Sequence, residues 1–310
     1  MARAETALAV GLSSALLLSA STASAYCRTT TCDVDMTTQN DCSWDSNNCA
    51  TAGHPLYWPD NCSWFGVQQD GSPKRHITYA TFHSIVANAF NKWGKADCGG
   101  GKVPSFAVQD TDALYGAIVC PNREFNKSAA NANAWMFRDD SWPYVGGSTT
   151  IALTTISVDI ATGRILDADV EINSYKTDIT TSDVNIGADL ESIVTHESGH
   201  FLGLAHTPVQ DAVMFPNYSS SSTSIRTLSP DDEAGICAAY PPSTPPTCGQ
   251  PEPIYGFSRY CGGANPSTQP EGGSTKTCAV ALGAPSDGRA ALVASVLTAL
   301  AVRHRRRRRT

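Results

Sequence analysis

The sequence predicts an α+β domain, because three helical segments surround a pair of strand-like ones. Apolar side chains recur at helical spacing between Phe82 and Trp93, and again between Asp189 and Leu202. Asp189 is suited to cap the second of these helices. A third helix is expected from Ser229, where a capping box is followed by proline at the first helical position. Helices of this kind need a sheet to cover, and the segment before Asp189 supplies the strands.

Two strand-like segments, residues 151–160 and 165–175, are joined by a short turn. In the second segment apolar and polar residues alternate, so one face carries Asp167, Asp169 and Glu171. Three carboxylates in a row could bind Ca²⁺. The alternation favours a solvated strand face instead, so a Ca²⁺ site is possible but not supported.

The second helix carries a metal-binding pattern in which His196, Glu197, His200, Gly203 and His206 follow the spacing H-E-x-x-H-x-x-G-x-x-H. Side chains four residues apart project from one helix face, so His196 and His200 can reach the same ion. Gly203 can adopt the left-handed conformation that ends a helix and turns the chain, which brings in His206. Three neutral imidazoles suit one catalytic Zn²⁺ and leave its fourth position to water.

Glu197 lies next to the first ligand and is expected to face the water rather than the metal. Zinc lowers the pKa of a bound water to about 7. Glu197 would take a proton from that water and deliver it to the leaving amine of a peptide bond. The alternatives are a chance match of the pattern and an inactive relative that keeps only the fold.

The motif resembles that of the metzincin metallopeptidases, and within them the matrixins. Thr207 follows the third histidine as a serine or threonine does in matrixins, and Met214 stands where these enzymes place a methionine turn below the metal. The resemblance implies that Pro216 and Tyr218 wall the pocket for the residue after the scissile bond. The alternative for Met214 is an ordinary core methionine, and the alternative for Pro216 and Tyr218 is a loop with no role in substrate binding.

The resemblance covers residues 73–241 and implies a metzincin (zincin-like) catalytic domain. Its twisted mixed sheet would pack on two helices, with a smaller lower lobe after Gly203. It places the first strand near His76–Tyr79. Two family features are missing: no histidine occurs between His83 and His196 to hold a second, structural zinc, and the propeptide motif Pro-Arg-Cys-Gly is absent.

The N-terminus resembles a secretory signal peptide over residues 1–25. An apolar stretch precedes Ala23-Ser-Ala25, which fits the small-x-small cleavage rule and predicts Tyr26 as the first mature residue. An uncleaved anchor is the alternative, although the apolar run is short for a membrane span. Export to the cell surface or beyond is the expected localisation.

All 11 cysteines follow this signal, which predicts disulfides formed in an oxidising compartment. Five of them lie in a Cys-rich segment at residues 26–72. Their connectivity does not follow from the sequence, and one of the five could instead cap the zinc. The total is odd, so at least one cysteine is expected to stay apart.

The C-terminus divides into a Pro/Gly/Ser-rich linker, residues 242–277, and a tail, residues 278–310. The tail joins Cys278, an apolar helix at residues 290–302 and an arginine cluster, which resembles the sorting tails of myxobacterial surface proteins. The resemblance implies a sorting protease that acts near Cys278 and a membrane contact made only through the tail. Nucleic-acid binding is disfavoured, because the arginines follow an apolar run in a chain whose net charge is −7.

The sequence therefore favours a secreted, surface-anchored zinc endopeptidase that acts on protein or peptide substrates. The alternative is a surface binding or adhesion protein that keeps the metallopeptidase fold without its activity. The physiological substrate, the oligomeric state and the role of residues 26–72 do not follow from the sequence.

Overall fold

A computed structural model describes residues 25–34, 42–144, 150–218, 221–249, 253, 255–264 and 290–296, the last of these as backbone only. The signal peptide predicted at residues 1–25 lies almost wholly outside the described residues, and so does Cys278. The described helices are α1 (Thr31–Val34), α2 (Tyr79–Trp93), α3 (Asp112–Tyr115), α4 (Leu190–Phe201) and α5 (Pro230–Ala239). The described strands are β1 (Cys27–Arg28), β2 (Cys62–Val67), β3 (Ala107–Asp110), β4 (Ala134–Phe137), β5 (Ala152–Asp159), β6 (Arg164–Ile172), β7 (Ile179–Thr180), β8 (Ala188–Asp189), β9 (Leu204–Ala205) and β10 (Ala290–Val296).

The main sheet is mixed, with strand order β10-β5-β6-β4-β2-β3. The pairs β2–β3, β2–β4 and β4–β6 are parallel, whereas β5 runs antiparallel to β6. Helices α2 and α4 bury their apolar faces in the same core. Indole groups tie this core to α4, since Trp58 Nε1 donates to Phe201 O at 2.8 Å and Trp93 Nε1 donates to Thr195 O at 2.9 Å. The predicted α+β class and the mixed sheet are confirmed.

The three helices predicted within the domain and the β5–β6 pair are also confirmed, but the predicted first strand is wrong. Residues 76–79 contain a tight turn, with His76 at φ +55°, and then the first residue of α2. The first strand of the main sheet is β2, which lies within the segment assigned to a separate Cys-rich region. The predicted domain boundary at residue 73 therefore cuts through the sheet.

The acidic side of β6 is buried, contrary to the predicted solvated face. Asp167, Asp169 and Glu171 are all at most 3% exposed. The backbone N–H groups of Glu124 and Ala134 donate to Asp169, and Arg138 donates to Glu171. Strand alternation did not reveal this, because the covering residues 121–134 come from a distant loop. Burial raises the pKa of Asp169 to about 8.

Ten cysteines form five disulfides in the described part of the chain: Cys27–Cys49, Cys32–Cys42, Cys62–Cys248, Cys98–Cys237 and Cys120–Cys261. All five cysteines of the N-terminal segment are bridged, so none of them is free to cap a metal. Two bridges reach beyond residue 241. The first part of the predicted linker is thus fastened to the domain, and Arg259 O accepts the N–H groups of Val119 and Cys120.

Removing the Cys62–Cys248 bridge by a double Cys→Ser exchange is expected to lower the free energy of unfolding by about 4 kcal/mol. The bridge spans 186 residues, and a cross-link that closes a longer loop restricts the unfolded chain more. Urea unfolding would measure the loss, with the ten-residue Cys32–Cys42 loop as the matched control and a smaller expected cost. Unchanged stability of the first variant would show that residues 242–249 are a free linker after all.

The tail residues that the structure describes form a strand, not the predicted apolar helix. Strand β10 pairs antiparallel with β5 from Ala290↔Asp159 to Val296↔Leu153. Without it, β5 would present a row of unpaired backbone groups at the sheet edge, which is a template for an added strand. Among the described residues, no helix is long and apolar enough to cross a membrane.

Candidate active site

Helix α4 presents the first two histidines, and the turn after it presents the third. Asp189 caps the helix by accepting from Ser192 N at 2.8 Å. Gly203, at φ +88°, turns the chain into β9, and a Cβ there would lie 2.7 Å from Leu56 O. His206 follows β9 directly. The predicted helix cap and glycine turn are both present, and together they carry His206 back toward His196 and His200.

The three imidazoles converge on one point. Their Nε2 atoms lie 3.0 Å apart for His196 and His200, 3.1 Å for His200 and His206, and 3.2 Å for His196 and His206. Tetrahedral zinc with Zn–N bonds of about 2.05 Å holds its ligand nitrogens about 3.3 Å apart. The donor set and its spacing therefore fit zinc with little adjustment.

Backbone carbonyls fix which ring nitrogen faces the centre. The Nδ1 atoms of His196 and His200 lie 2.5 Å from Val213 O and 2.9 Å from Leu204 O. If each Nδ1 carries the proton and donates it, Nε2 keeps its lone pair for a metal. Burial lowers the pKa of His196 to about 3 and that of His206 to about 4. The rings are thus neutral at pH 7, as metal ligands must be.

Glu197 is fully buried beside this centre and does not join the three nitrogens. Its Oε2 accepts a hydrogen bond from Thr154 of β5, while Oε1 is buried without a hydrogen-bond partner. Burial raises the pKa of Glu197 to about 8. A carboxyl group with one unpartnered oxygen and a raised pKa is suited to take up and return a proton.

Met214, the predicted methionine of the turn, packs against the active-site helix. Met214 is 2% exposed, and a Cβ on Gly199 of α4 would come within 2.2 Å of its sulfur. Asp232 of α5 holds the turn by accepting from Val213 N at 2.8 Å and Met214 N at 3.0 Å. Helix α5 thus holds the turn that packs against the active-site helix.

The N-terminal segment supports the third histidine. Strand β1 pairs antiparallel with β9, matching Cys27 to Ala205 and Arg28 to Leu204. Thr207 donates to Asp231 of α5 at 2.8 Å, and Asp231 also accepts from Ala25 N at 2.7 Å. Residues near the predicted mature N-terminus therefore fold against the strand that precedes His206.

The two residues expected to wall a substrate pocket lie just after the turn. The Tyr218 hydroxyl accepts from Asp189 N at 2.7 Å and donates to Ser222 O at 2.9 Å, so it anchors the start of α4. Pro216 is half-buried. Sequence reasoning missed Thr154 and Asp232, because their contacts with the site depend on the packing of β5 and α5.

Arg226 holds the cap of α4, which the sequence did not indicate. Its Nε lies 2.9 Å from Asp189 Oδ2 and its Nη2 lies 2.5 Å from Asp189 Oδ1. The Asp189 side chain is fully buried. Burial by itself raises the pKa of Asp189, but hydrogen bonds from Arg226 and Ser192 outweigh it and leave that pKa lowered.

Replacing Arg226 by methionine is expected to lower the free energy of unfolding at pH 7 by about 3 kcal/mol, because it leaves a buried carboxylate unpaired. A lowered pKa stabilises the fold above the unfolded value of about 3.9, so the difference from wild type should shrink as the pH falls below about 4. Urea unfolding at both pH values would show this. Arg75→Met, which removes an ion pair with the exposed Asp178 and a hydrogen bond to Ser174 O, is the control, with a smaller expected loss of about 1 kcal/mol. Equal losses in the two variants would contradict the assignment.

Taken together, the mixed sheet, the three converging histidines, the adjacent glutamate and the methionine turn define a metzincin-type domain. Comparison with protein families agrees, since residues 124–241 match the matrixin family. The match supports the matrixin-like metzincin that the sequence predicted for this region.

The chain is also similar to individual proteins named as metalloendoproteinases, matrilysin or collagenase. The chain is 31% identical to metalloendoproteinase 1 of Glycine max over 161 residues, which are 52% of this chain and 46% of the relative. It is 26% identical to human matrilysin over 170 residues, 54% of this chain and 53% of the relative. With human neutrophil collagenase the identity is 36% over 96 residues, 28% of this chain and 20% of the relative. The chain thus spans about half, or less, of the length of these relatives.

Proposed function

We propose that this protein is a zinc-dependent endopeptidase that hydrolyses peptide bonds. The observation that carries the proposal is the convergence of three imidazole nitrogens, with Glu197 next to the first of these histidines in the helix and its buried Oε1 without a hydrogen-bond partner. Held by His196, His200 and His206, zinc would supply a Lewis acid that polarises a carbonyl and acidifies water. The relatives named metalloendoproteinase support the same reaction class.

The chain's own residues supply the proton transfers. Glu197 takes a proton from the attacking water and returns it to the leaving amine, so it acts first as general base and then as general acid. Thr154 donates to Oε2 of this carboxylate, and the partnerless Oε1 is proposed to be the oxygen that exchanges protons with the reacting atoms. Pro216 and Tyr218 are proposed to line the pocket for the residue after the cleaved bond.

The direct test is a protease assay on the zinc-loaded protein with a broad peptide library and an unfolded protein substrate. Cleavage that stops with a chelator and returns with Zn²⁺ would support the proposal. A folded, zinc-loaded protein that cleaves neither substrate would favour the alternative, a binding or adhesion protein on the same fold.

The proposal includes export and anchoring at the cell surface, with a cut near Cys278 that removes the residues after it. Five disulfides in the described residues favour an oxidising compartment. They use ten of the 11 cysteines, which leaves Cys278 as the site near which a sorting protease would cut. Mass analysis of the native protein tests this, because retention of residues 279–310 would rule the cut out.

A further inference from the structure

A second group of metal-binding side chains lies away from the histidine centre. It joins His83 of α2 to Asp110 and Asp112, which stand at the end of β3 and the start of α3. One donor atom of each residue lies within 4.8 Å of the other two. His83 Nε2 lies 2.9 Å from Asp110 Oδ2 and 3.9 Å from Asp112 Oδ2. These distances bracket the spacing of about 3.3 Å between ligands of tetrahedral zinc.

The contact between His83 and Asp110 is short but is not a directed hydrogen bond. His83 Nε2 is buried and has no hydrogen-bond partner, although a carboxylate oxygen lies 2.9 Å away. A nitrogen and an oxygen that lie close without an aligned N–H are arranged like two ligands of one ion. The Nε2 atoms of the active-site histidines show the same close approach.

Asp112 gives the second indication. Its side chain is 2% exposed, and its Oδ1 is buried with no hydrogen-bond partner. The other oxygen, Oδ2, accepts from Val67 N and from the Tyr79 hydroxyl, both at 2.9 Å. A buried carboxylate with an unpartnered oxygen is costly unless a cation or a donor compensates it.

The cluster is held in place by the backbone around it. Asp110 Oδ1 accepts from Asp112 N at 2.9 Å, which directs Oδ2 toward His83. The His83 ring packs between Phe65 and Tyr79, with ring centroids 5.9 and 5.6 Å away. All three donors are therefore fixed by elements that do not depend on the catalytic centre.

We propose that His83, Asp110 and Asp112 form a second divalent-metal site that takes Zn²⁺ and links α2 to the corner between β3 and α3. One imidazole and two carboxylates are ligands that zinc accepts, whereas calcium takes oxygen ligands only. The site differs from the structural zinc that the sequence excluded, since that one needs histidines between His83 and His196. It stands independently of the proposed peptidase activity.

Metal analysis of the full chain tests the site. After loading with Zn²⁺ and removal of loosely bound metal, wild type should hold two equivalents, and His83→Ala and Asp110→Asn one each. Asp110 is 30% exposed, so its variant keeps the fold even if His83→Ala does not. His54→Ala, an exposed histidine outside both clusters, is the matched control and should hold two.

The His206→Ala variant separates the two centres. It should lose the catalytic equivalent, keep the other, and still show a higher melting temperature when Zn²⁺ is added. Neither Mn²⁺ nor Ca²⁺ should match that rise. One equivalent in both wild type and His83→Ala, with no thermal response in His206→Ala, would show that the cluster is an ion pair only and would overturn the proposal. If instead the three histidines do not bind zinc, the His206→Ala variant would hold as much zinc as wild type.

Discussion

Replacing Glu197 by glutamine is expected to lower kcat by about 10² to 10⁴-fold while the catalytic zinc remains bound. The amide keeps the size of the side chain but cannot accept a proton from water. Because Glu197 does not belong to the three converging nitrogens, its loss should leave metal binding intact. Peptide hydrolysis rates and zinc content, measured on the same preparation, would show the two effects apart.

Glu191→Gln is the matched control, since it makes the same change on the same helix at a residue that pairs with Lys92. Its hydrolysis rate should remain near that of wild type. If Glu197→Gln cleaves as fast as Glu191→Gln at equal zinc content, Glu197 is not the group that moves the proton.

Replacing His206 by alanine is expected to weaken binding of the catalytic zinc by more than about 100-fold and to abolish hydrolysis. Loss of residues that merely orient metal ligands costs about 10 to 100-fold in affinity, so loss of a ligand itself should cost more. The chain on either side of His206 is held by the β1–β9 pairing and by Thr207, so the fold should survive. Titration with a competing chelator would measure the affinity.

His54→Ala serves again as the control for a histidine removed from the surface. A His206→Ala protein that binds zinc as tightly as this control would mean that only His196 and His200 hold the metal. The pairing of β1 with β9 would then support the fold rather than the site.

The local parts of the site were predictable from the sequence because they depend on short spacings. Two histidines four residues apart need only a helix, and Gly203 needs only to turn the chain. The cap at Asp189 and the capping box of α5 are likewise set by neighbouring residues. Such features are decided within one or two turns of chain.

The parts that escaped prediction depend on contacts distant in sequence. Thr154 reaches Glu197 only because β5 packs beside α4, and Arg226 reaches Asp189 across 37 residues. The burial of Asp169 depends on a loop that covers its strand. Alternation indicates that a face is polar, but whether water or protein covers that face is a tertiary property.

The contacts of the two terminal segments also depend on residues distant in sequence and were not predicted. Composition identified residues 26–72 and 242–277 as separate segments, yet disulfides and strand pairing fasten parts of both to the domain. Cysteine positions permit many pairings, and only the folded arrangement brings Cys62 near Cys248. The apolar run that begins at Ala290 fits a helix by composition, but the open edge of β5 accepts its first residues as a strand.

In the proposed reaction Glu197 activates a water that cleaves a peptide bond at the three-histidine centre. The most direct measurement is mass spectrometry of a peptide library after incubation in ¹⁸O-labelled water, with wild type and Glu197→Ala at equal zinc content. Wild type should produce new C-termini carrying one ¹⁸O atom and new free amines, whereas Glu197→Ala should produce almost none. Equal amounts of labelled product from both proteins, or no product from a fully zinc-loaded wild type, would contradict the proposed reaction.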